Sequence, residues 1–259
     1  MSILTEEQFF TLFDSAMRAN RDAAGRPLPD DVFDVRAASL FYALTEEMLR
    51  VNAHMNLTAI TEIPDILVKH YADCALTVPY IPAGAVLCDV GCGGGFPSLP
   101  IAILRPDVTV TAVDSTAKKL DYVARTAAHL GLDNLSVVCA RAETLGLDPA
   151  FRGRFDIVTA RAVARMNVLC EWCLPLVKRG GSFLAMKGRS GEEEHTEAQN
   201  AISVLGGKTE LCRTYTLFDP FSDTDASADA KRCLIVVKKQ KDTPAQYPRA
   251  NAQIAKKPL

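Results

Sequence analysis

The chain has 259 residues, of which 48% are hydrophobic and 23% charged, and its formal net charge is −2. These are ordinary values for a globular protein that is long enough to bury a full core. The near-neutral charge does not indicate a nucleic-acid partner, so any basic surface must be local. The first residues lack the features of a signal peptide, and no run approaches the ~20 apolar residues of a membrane span. We therefore expect a soluble cytoplasmic protein without a membrane partner.

The N-terminal part is predicted to be helical. Apolar residues recur at helical spacing in residues 4–20 and 31–52, and a glycine- and proline-containing loop separates the two stretches. We assign residues 1–80 to an N-terminal helical extension. Its last part, from Asn56-Leu57-Thr58 to Lys69-His70-Tyr71-Ala72-Asp73, is expected to reach the domain that follows.

Strands and helices alternate from residue 84, which predicts a mostly parallel sheet with helices on both faces. We assign this α/β domain to residues 81–240 and a basic C-terminal tail to 241–259. The predicted strands are 85–90, 108–113, 135–139, 155–160, 181–186, 209–217 and 232–238. Arg179-Gly180-Gly181 is interpreted as the turn into the fifth strand. A polar stretch, 219–230, separates the last two strands, which predicts an antiparallel hairpin with a long loop.

A glycine cluster follows the first predicted strand. Residues 89–97 read Asp-Val-Gly-Cys-Gly-Gly-Gly-Phe-Pro, and such strand-to-helix turns are where nucleotide-like ligands bind in α/β folds. A dinucleotide site would need a glycine at position 96, which is Phe96. Asp114 ends the second strand, where its carboxylate could accept hydrogen bonds from both ribose hydroxyls, although a helix cap is the simpler alternative. We interpret the pattern as a site for S-adenosylmethionine in a class I methyltransferase, a Rossmann-like fold with a seven-stranded mixed sheet.

The eight cysteines are not predicted to form disulfides or a metal site. Cys88, Cys139 and Cys233 lie in apolar runs and are expected to be small buried residues. Cys170 and Cys173 form a CxxC pair inside a predicted helix, without a second pair or a histidine cluster, so a structural role is favoured over zinc or redox chemistry. Cys92 is the thiol expected to face a ligand.

Several motifs together resemble the glucose-inhibited division protein B family of bacterial 16S rRNA guanine-N7 methyltransferases. They are Asn56-Leu57-Thr58, His70-Tyr71-Ala72-Asp73, the run 89–100, Val113-Asp114-Ser115 with Lys118-Lys119, Arg141-Ala142-Glu143, Phe155-Asp156, Ala160-Arg161-Ala162, Lys187-Gly188, Tyr247-Pro248-Arg249 and Lys256-Lys257-Pro258-Leu259. The chain departs from the family pattern at Ser98, where the family usually has glycine, and at Ala160, where it usually has serine.

The resemblance implies a set of functional residues. Contacts to S-adenosylmethionine are implied for the first loop, for the ends of the next two strands and for the end of the fourth: Asp89, Gly91, Gly93, Gly95, Phe96, Asp114, Ser115, Ala142, Glu143 and Arg161. Glu143 could instead be a solvated loop acid. Arg161 is also the predicted catalytic residue, because it lies where binding crevices form at the ends of strands, and a surface salt bridge is the alternative.

The implied partner is 16S rRNA in the small ribosomal subunit, bound by a protein that we expect to be a monomer without a metal ion. Guanine N7 carries a free lone pair, so methyl transfer to it needs alignment and desolvation rather than a base that first removes a proton. The product is cationic, so we predict that Arg161, Lys187, Arg189 and Arg232 hold phosphates or the O6 edge rather than N7. Arg249 in the basic tail is predicted to bind RNA as well, although charge runs are usually solvated faces.

Two other functions remain open from the residues themselves. One is a methyltransferase that acts on a small molecule. The other is a non-catalytic protein that binds ribosomes and senses the cofactor.

Overall fold

The computed structural model describes residues 4–29, 33–222 and 230–259. The described residues form one seven-stranded sheet in the order β3-β2-β1-β4-β5-β7-β6. The strands are β1 (Val86–Val90), β2 (Thr109–Asp114), β3 (Leu135–Cys139), β4 (Phe155–Arg161), β5 (Val177–Lys187), β6 (Gly207–Thr216) and β7 (Lys231–Lys239). The first five strands are parallel, and β7 pairs antiparallel with both β5 and β6. This confirms the predicted fold class; residues 223–229 of the predicted hairpin loop lie outside the described residues.

Helices cover both faces of the sheet and form the N-terminal part. They are α1 (Glu6–Ala19), α2 (Val35–Asn52), α3 (Ile63–Ile66), a π-helix (Leu67–Ala72), α4 (Asp73–Ala75), a 3-10 helix (Val78–Tyr80), α5 (Ser98–Leu104), α6 (Ala117–His129), α7 (Ala142–Leu145), α8 (Met166–Cys173), α9 (Gly191–Glu197), α10 (Gln199–Val204) and α11 (Asn251–Lys256). Thr5 begins α1 with a capping box, and the Asp34 side chain caps α2. The cap explains why α2 begins after the predicted start at residue 31, which is itself not described. Within the described residues, no helix combines the length and apolar character that crossing a membrane requires.

The N-terminal helices and the sheet share one hydrophobic core. A series of buried rings crosses from α1 to the glycine loop, with centroid distances of 5.1 Å between Phe13 and Phe41, 4.6 Å between Phe41 and Tyr71 and 6.2 Å between Tyr71 and Phe96. The domain limits at residues 80 and 240 stay predictions, but among the described residues a continuous core crosses residue 80. The extension is therefore packed so that it can position the loop beside β1.

The glycine pair before the fifth predicted strand lies inside β5 rather than in a turn. Gly180 has a φ of +84°, and a Cβ on Gly181 would lie 2.6 Å from the Asp156 carbonyl oxygen. The register against β4 shifts between Phe155 and Ile157. The predicted turn is thus wrong, because glycines at a bulge and glycines at a turn leave the same sequence pattern.

The C-terminal tail is docked on the sheet domain. Arg152 donates hydrogen bonds to the carbonyl oxygens of Gly146 (2.6 Å), Thr243 (2.8 Å) and Tyr247 (2.7 Å). Lys239 is buried and donates to the Leu174 carbonyl oxygen, and burial lowers the pKa of its ammonium to about 7. The tail therefore forms part of the folded structure and brings α11 to the end of the sheet.

The eight cysteines are free thiols. Cys170 and Cys173 are fully buried in α8, and burial raises the pKa of both. Cys139 is exposed, which corrects the prediction that it is buried, because β3 lies at the edge of the sheet. The parts of the chain that the structure describes contain no group of three or more His, Cys, Asp or Glu residues that could hold a metal ion.

Candidate active site at the carboxyl ends of the strands

Three adjoining clefts lie beyond the carboxyl ends of the central strands, where the strand order reverses between β1 and β4. The first cleft has a volume of about 160 Å³, the second about 380 Å³ and the third about 330 Å³. The first and second clefts share Gly91, Asp114 and Val163. The second and third share His70, Arg161 and Ala162. The clefts thus follow one another along the same end of the sheet.

Asp114 connects the glycine loop to the start of α6. One carboxylate oxygen accepts a hydrogen bond from the Gly93 N–H at 3.0 Å, and the other accepts one from the Thr116 N–H at 2.8 Å. An ionised carboxylate offers about four lone-pair sites, so acceptor capacity remains on the side that lines both clefts. Asp114 is not the helix cap, because the N-cap of α6 is Thr116 and no side chain caps that helix. Its carboxylate lines both clefts, and ribose binding stays a prediction.

The glycines of the loop differ in the space around them. Gly93 has a φ of +55°, and a Cβ there would meet no atom within 4 Å, so the loop leaves open space in the second cleft. Gly91 has a φ of +73°, and its Cβ would lie 2.6 Å from the Val163 side chain. The residue before Val163, Ala162, itself has a φ of +55°, a conformation that is uncommon for a residue with a side chain and concentrates at functional sites.

Two predicted cofactor contacts lie behind the loop instead. Asp89 is fully buried, and its carboxylate accepts hydrogen bonds from the Ser98 and Thr159 hydroxyls at 2.5 and 2.9 Å. Burial raises the pKa of Asp89 to about 6, although these hydrogen bonds oppose the increase. Gly95 packs on Leu99, 2.5 Å from where its Cβ would be. Neither residue lines any of the three clefts, and both hold the loop in place; their direct contact with the cofactor stays a prediction.

A cluster around Arg161 forms the wall that the second and third clefts share. Arg161 ends β4 and donates to the Lys69 carbonyl oxygen (3.2 Å), to Asp73 Oδ2 (3.1 Å) and to His70 Nδ1 (3.0 Å). Its guanidinium also lies over the Phe96 ring, 5.5 Å from the centroid. The N-terminal motif 69–73 thus reaches the α/β domain, as predicted. The alternative of a simple surface salt bridge does not apply, because the Asp73 side chain is only 4% exposed.

His70 is a neutral member of this cluster. Arg161 can only donate, so His70 Nδ1 accepts, and Nε2 carries the proton that is donated to Thr58 Oγ1 at 2.9 Å. Burial, with the nearby charges of Arg161 and Arg232, lowers the pKa of His70 to about 3. Its ring stacks on Phe96 with the centroids 4.5 Å apart. The π-helix that presents His70 was not predicted, since π turns have no distinct sequence signal but are frequent at functional sites.

The remaining predicted cofactor residues lie in the first and second clefts. Ser115, Ala142 and Glu143 line the first, and Phe96 lines the second. Cys92 also lines the second cleft, but it is 2% exposed and burial raises the pKa of its thiol, so it does not have the features of a nucleophile.

Sequence reasoning did not identify two further residues of the first cleft, Trp172 and Asn251. The buried indole Nε1 of Trp172 has no hydrogen-bond partner among the described residues. Asn251 starts α11 and reaches the cleft because the tail docks there. Their separation in sequence from the glycine motif left no signal.

The predicted RNA-binding residues are in different environments. Lys187 and Arg232 line the third cleft, where the Lys187 ammonium contacts Glu194 at 2.6 Å and the Arg232 guanidinium lies 3.4 Å from Asp73. Arg189 is exposed and lines none of the three clefts.

Arg249 differs from these residues because it pairs with a fully buried acid. Its guanidinium forms a two-pronged pair with Glu171, at 2.8 and 2.6 Å, and Glu171 is fully buried. The backbone N–H of Arg249 donates to the same carboxylate at 2.8 Å. Arg249 therefore fixes the tail to α8, which gives it a structural role; its contact with RNA stays a prediction.

A family model described as "rRNA small subunit methyltransferase G" matches residues 37–216, well over half of the chain. The chain belongs to this family. The rRNA small subunit methyltransferase G of Lactobacillus delbrueckii subsp. bulgaricus (strain ATCC BAA-365 / Lb-18) is 46% identical over 223 residues, which cover 85% of this chain and 90% of that protein. The protein of the same name from Geobacillus kaustophilus is 44% identical over 226 residues, covering 86% of this chain and 92% of that protein.

A solved structure of a mutant 16S rRNA (adenine(1408)-N(1))-methyltransferase from Catenulisporales acidiphilia superposes with a TM-score of 0.50. It is 20% identical and covers 65% of this chain and 88% of that one, so it supports the fold alone. As a member of the methyltransferase G family, the chain is an S-adenosylmethionine-dependent enzyme.

The residues of the first two clefts fit this cofactor. The Asp114 carboxylate has the acceptors that a ribose diol requires, and the open space at Gly93 is what a cofactor beside the loop needs. Glu143 would offer an acceptor to the adenine end, and Trp172, whose indole Nε1 has no hydrogen-bond partner among the described residues, lines the same cleft. When bound, S-adenosylmethionine supplies an electrophilic methyl group on a positively charged sulfur.

Proposed function

We propose that this enzyme transfers a methyl group from S-adenosylmethionine to N7 of a guanine in 16S rRNA of the small ribosomal subunit. The relatives named above carry rRNA and small subunit in their names, which supports the choice of substrate. The proposed cofactor contacts are Gly91, Gly93, Phe96, Asp114, Ser115, Ala142 and Glu143, all of which line the first or second cleft. A monomeric state and a cytoplasmic location stay predictions.

The observation that carries the choice of N7 is the chemistry of the wall between the second and third clefts. Its residues are His70, Arg161 and Ala162. The lone pair of His70 Nδ1 is already engaged by Arg161, and Arg161 is a permanent cation, so neither residue can remove a proton from a base in the second cleft. The carboxylate of the same cluster, Asp73, lines the third cleft but not the second. An acceptor atom placed there must bring its own free lone pair, as guanine N7 does.

The charges of Arg161 and Asp73 in this cluster are compatible with a cationic product. In this proposal Arg161 touches the substrate as a hydrogen-bond donor to O6 and so acts as a catalytic residue. Its charge is offset by Asp73 at 3.1 Å, which limits repulsion of the cationic product. Because the side chain is held by three acceptors, it does not need to reorganise when the base binds. Lys187, Arg189 and Arg232 are proposed to contact phosphates near the third cleft.

The test is a methyl-transfer assay on purified small subunits from cells that lack the gene. With labelled S-adenosylmethionine, we expect label in 16S rRNA at one guanine, and reduction followed by aniline cleavage should locate it as N7-methylguanine. Asp114→Ala, which removes the proposed ribose ligand, should abolish both transfer and cofactor binding measured by calorimetry. Label on another base atom, or transfer to neither the subunit nor its RNA, would overturn the proposal, the latter in favour of a small-molecule substrate.

A further inference from the structure

Asp73 has one carboxylate oxygen that the fold does not explain. Its Oδ2 accepts from Arg161, but its Oδ1 is buried and accepts no hydrogen bond from any described residue. The Arg232 guanidinium, at 3.4 Å, supplies charge without a hydrogen bond to that oxygen. A buried acceptor without a hydrogen bond is costly and infrequent in native proteins, so a donor on a ligand in the adjoining cleft would satisfy this oxygen.

The position of Asp73 indicates where that partner binds. Asp73 lines the third cleft but not the second, whereas Arg161 lines both. Going outward from the glycine loop, a base would therefore meet Arg161 first and the Asp73 carboxylate next. The third cleft, at about 330 Å³, lies within the size range of small-molecule sites.

This order matches the edge of one base. Around guanine, the groups follow one another as N7 acceptor, O6 acceptor, N1–H donor and 2-amino donor. If N7 faces the second cleft, then O6 lies at the Arg161 donors and the two N–H groups lie beyond, at an acceptor. We propose that Asp73 accepts hydrogen bonds from N1–H and the 2-amino group of the target guanine, and so determines which base is methylated. This inference rests on the proposed function.

The same arrangement rejects adenine. Adenine places an amino group where Arg161 offers donors, and an unprotonated N1 where Asp73 offers lone pairs. A donor would then face the Arg161 donors, and a lone pair would face the Asp73 lone pairs. Buried polar groups left without hydrogen bonds in this way discriminate strongly between ligands.

Glu194 provides an internal comparison, because it is a second carboxylate in the third cleft. Its Oε1 accepts from the Ser190 hydroxyl at 2.8 Å, and its Oε2 accepts from the Met166 N–H at 3.0 Å and contacts the Lys187 ammonium at 2.6 Å. Both oxygens are thus used within the protein. A shared effect of cleft charge would involve both acids, whereas base recognition would involve Asp73 alone.

The test compares two substrates. Small subunits are reconstituted with 16S rRNA that carries guanosine or inosine at the mapped target; inosine keeps N7, O6 and N1–H but lacks the 2-amino group. Wild-type enzyme should show a kcat/KM that is about 10- to 100-fold lower on inosine, the effect of losing a hydrogen bond to a charged group. Asp73→Asn should be slower on guanosine and should reduce the guanosine-to-inosine ratio towards one. Glu194→Gln should keep the wild-type ratio.

The outcomes separate the inference from the proposed function. Equal wild-type rates on the two subunits, with N7 methylated in the guanosine substrate, would overturn the role of Asp73 alone. This comparison needs no variant, so it stands even if Asp73→Asn does not fold. A wild-type ratio retained by folded Asp73→Asn would also overturn it. Absence of N7 methylation on the guanosine subunit would overturn the proposed function and this inference with it. Binding of S-adenosylmethionine to Asp73→Asn should stay near the wild-type value, because Asp73 does not line the first two clefts.

Discussion

Replacing Arg161 with alanine tests the centre of the proposed active site. The substitution removes three hydrogen bonds, to Lys69, His70 and Asp73, and leaves the Asp73 carboxylate buried without its closest cation. Removing one partner of a buried ion pair costs about 3–5 kcal/mol of folding free energy. Typical domains have about 5–15 kcal/mol in total, so the variant should fold at low temperature but unfold at a lower denaturant concentration.

The effect on catalysis should exceed this loss of stability. Removing one preorganised donor at a reacting group typically lowers kcat by about 100- to 1,000-fold, and we expect a decrease of that size in methyl transfer to small subunits. Arg161→Lys keeps the charge but not the fork of donors, so it should recover stability better than activity.

Arg105→Ala is the matched control. The Arg105 side chain is 15% exposed, as is that of Arg161, and it holds Asp107 and the carbonyl oxygens of Ile81 and Pro82 near the start of β2, the opposite end of the sheet from the clefts. The assay is run at a temperature where circular dichroism shows both variants folded. If the rate of Arg161→Ala lies within about threefold of that of Arg105→Ala, well short of the effect of a lost donor, Arg161 acts through folding and the reasoning is refuted.

Three further predictions concern stability. The pKa of His70 is about 3 in the fold and about 6.5 when unfolded, so the unfolded state binds the extra proton. The free energy of unfolding therefore falls by about 1.4 kcal/mol per pH unit below pH ~6. Urea unfolding of His70→Gln at several pH values should lack this contribution, and an unchanged pH dependence would contradict the burial argument. For Asp89 the pH dependence of stability has the opposite sign, because its pKa of about 6 in the fold exceeds the unfolded value of about 3.9. The native state therefore holds the proton, and the free energy of unfolding falls as pH rises from ~4 to ~6. Asp89→Asn carries no titrating group, so its free energy of unfolding should rise by about 3 kcal/mol relative to wild type over that window. Arg249→Ala should lose about 3–5 kcal/mol of folding free energy, because the Glu171 carboxylate stays buried without its cation and keeps only the backbone N–H of residue 249. We expect its affinity for small subunits, and the salt dependence of that affinity, to stay at the wild-type values; a smaller salt dependence would support the RNA contact predicted from sequence.

Local patterns were sufficient for most of the fold. The alternation of apolar strands and amphipathic helices gave each strand to within a few residues, since strand burial imposes its own composition on a short segment. The bulge at Gly180 and the π-helix over 67–72 were missed, because each depends on pairing or packing with residues that are distant in the chain. In the site, Asp114 followed from its place one strand after the glycine loop, whereas Trp172 and Asn251 reached the first cleft only through the docking of α8 and the tail.

The sequence by itself determined the family, the glycine turn and the strand ends at which the clefts form, because these depend on motifs and periodicities within short stretches. Tertiary structure decided which charged side chains are available to a ligand. Arg161 and Arg249 are the same residue type, and both lie in motifs of the family. The acid that faces Arg249, 78 residues away, is buried and both its oxygens accept hydrogen bonds from Arg249. The acid that faces Arg161, 88 residues away, lines a cleft and has one oxygen that accepts no hydrogen bond from a described residue. Whether an arginine can bind a ligand depends on the acid beside it, and packing between segments that are distant in the chain determines which acid that is.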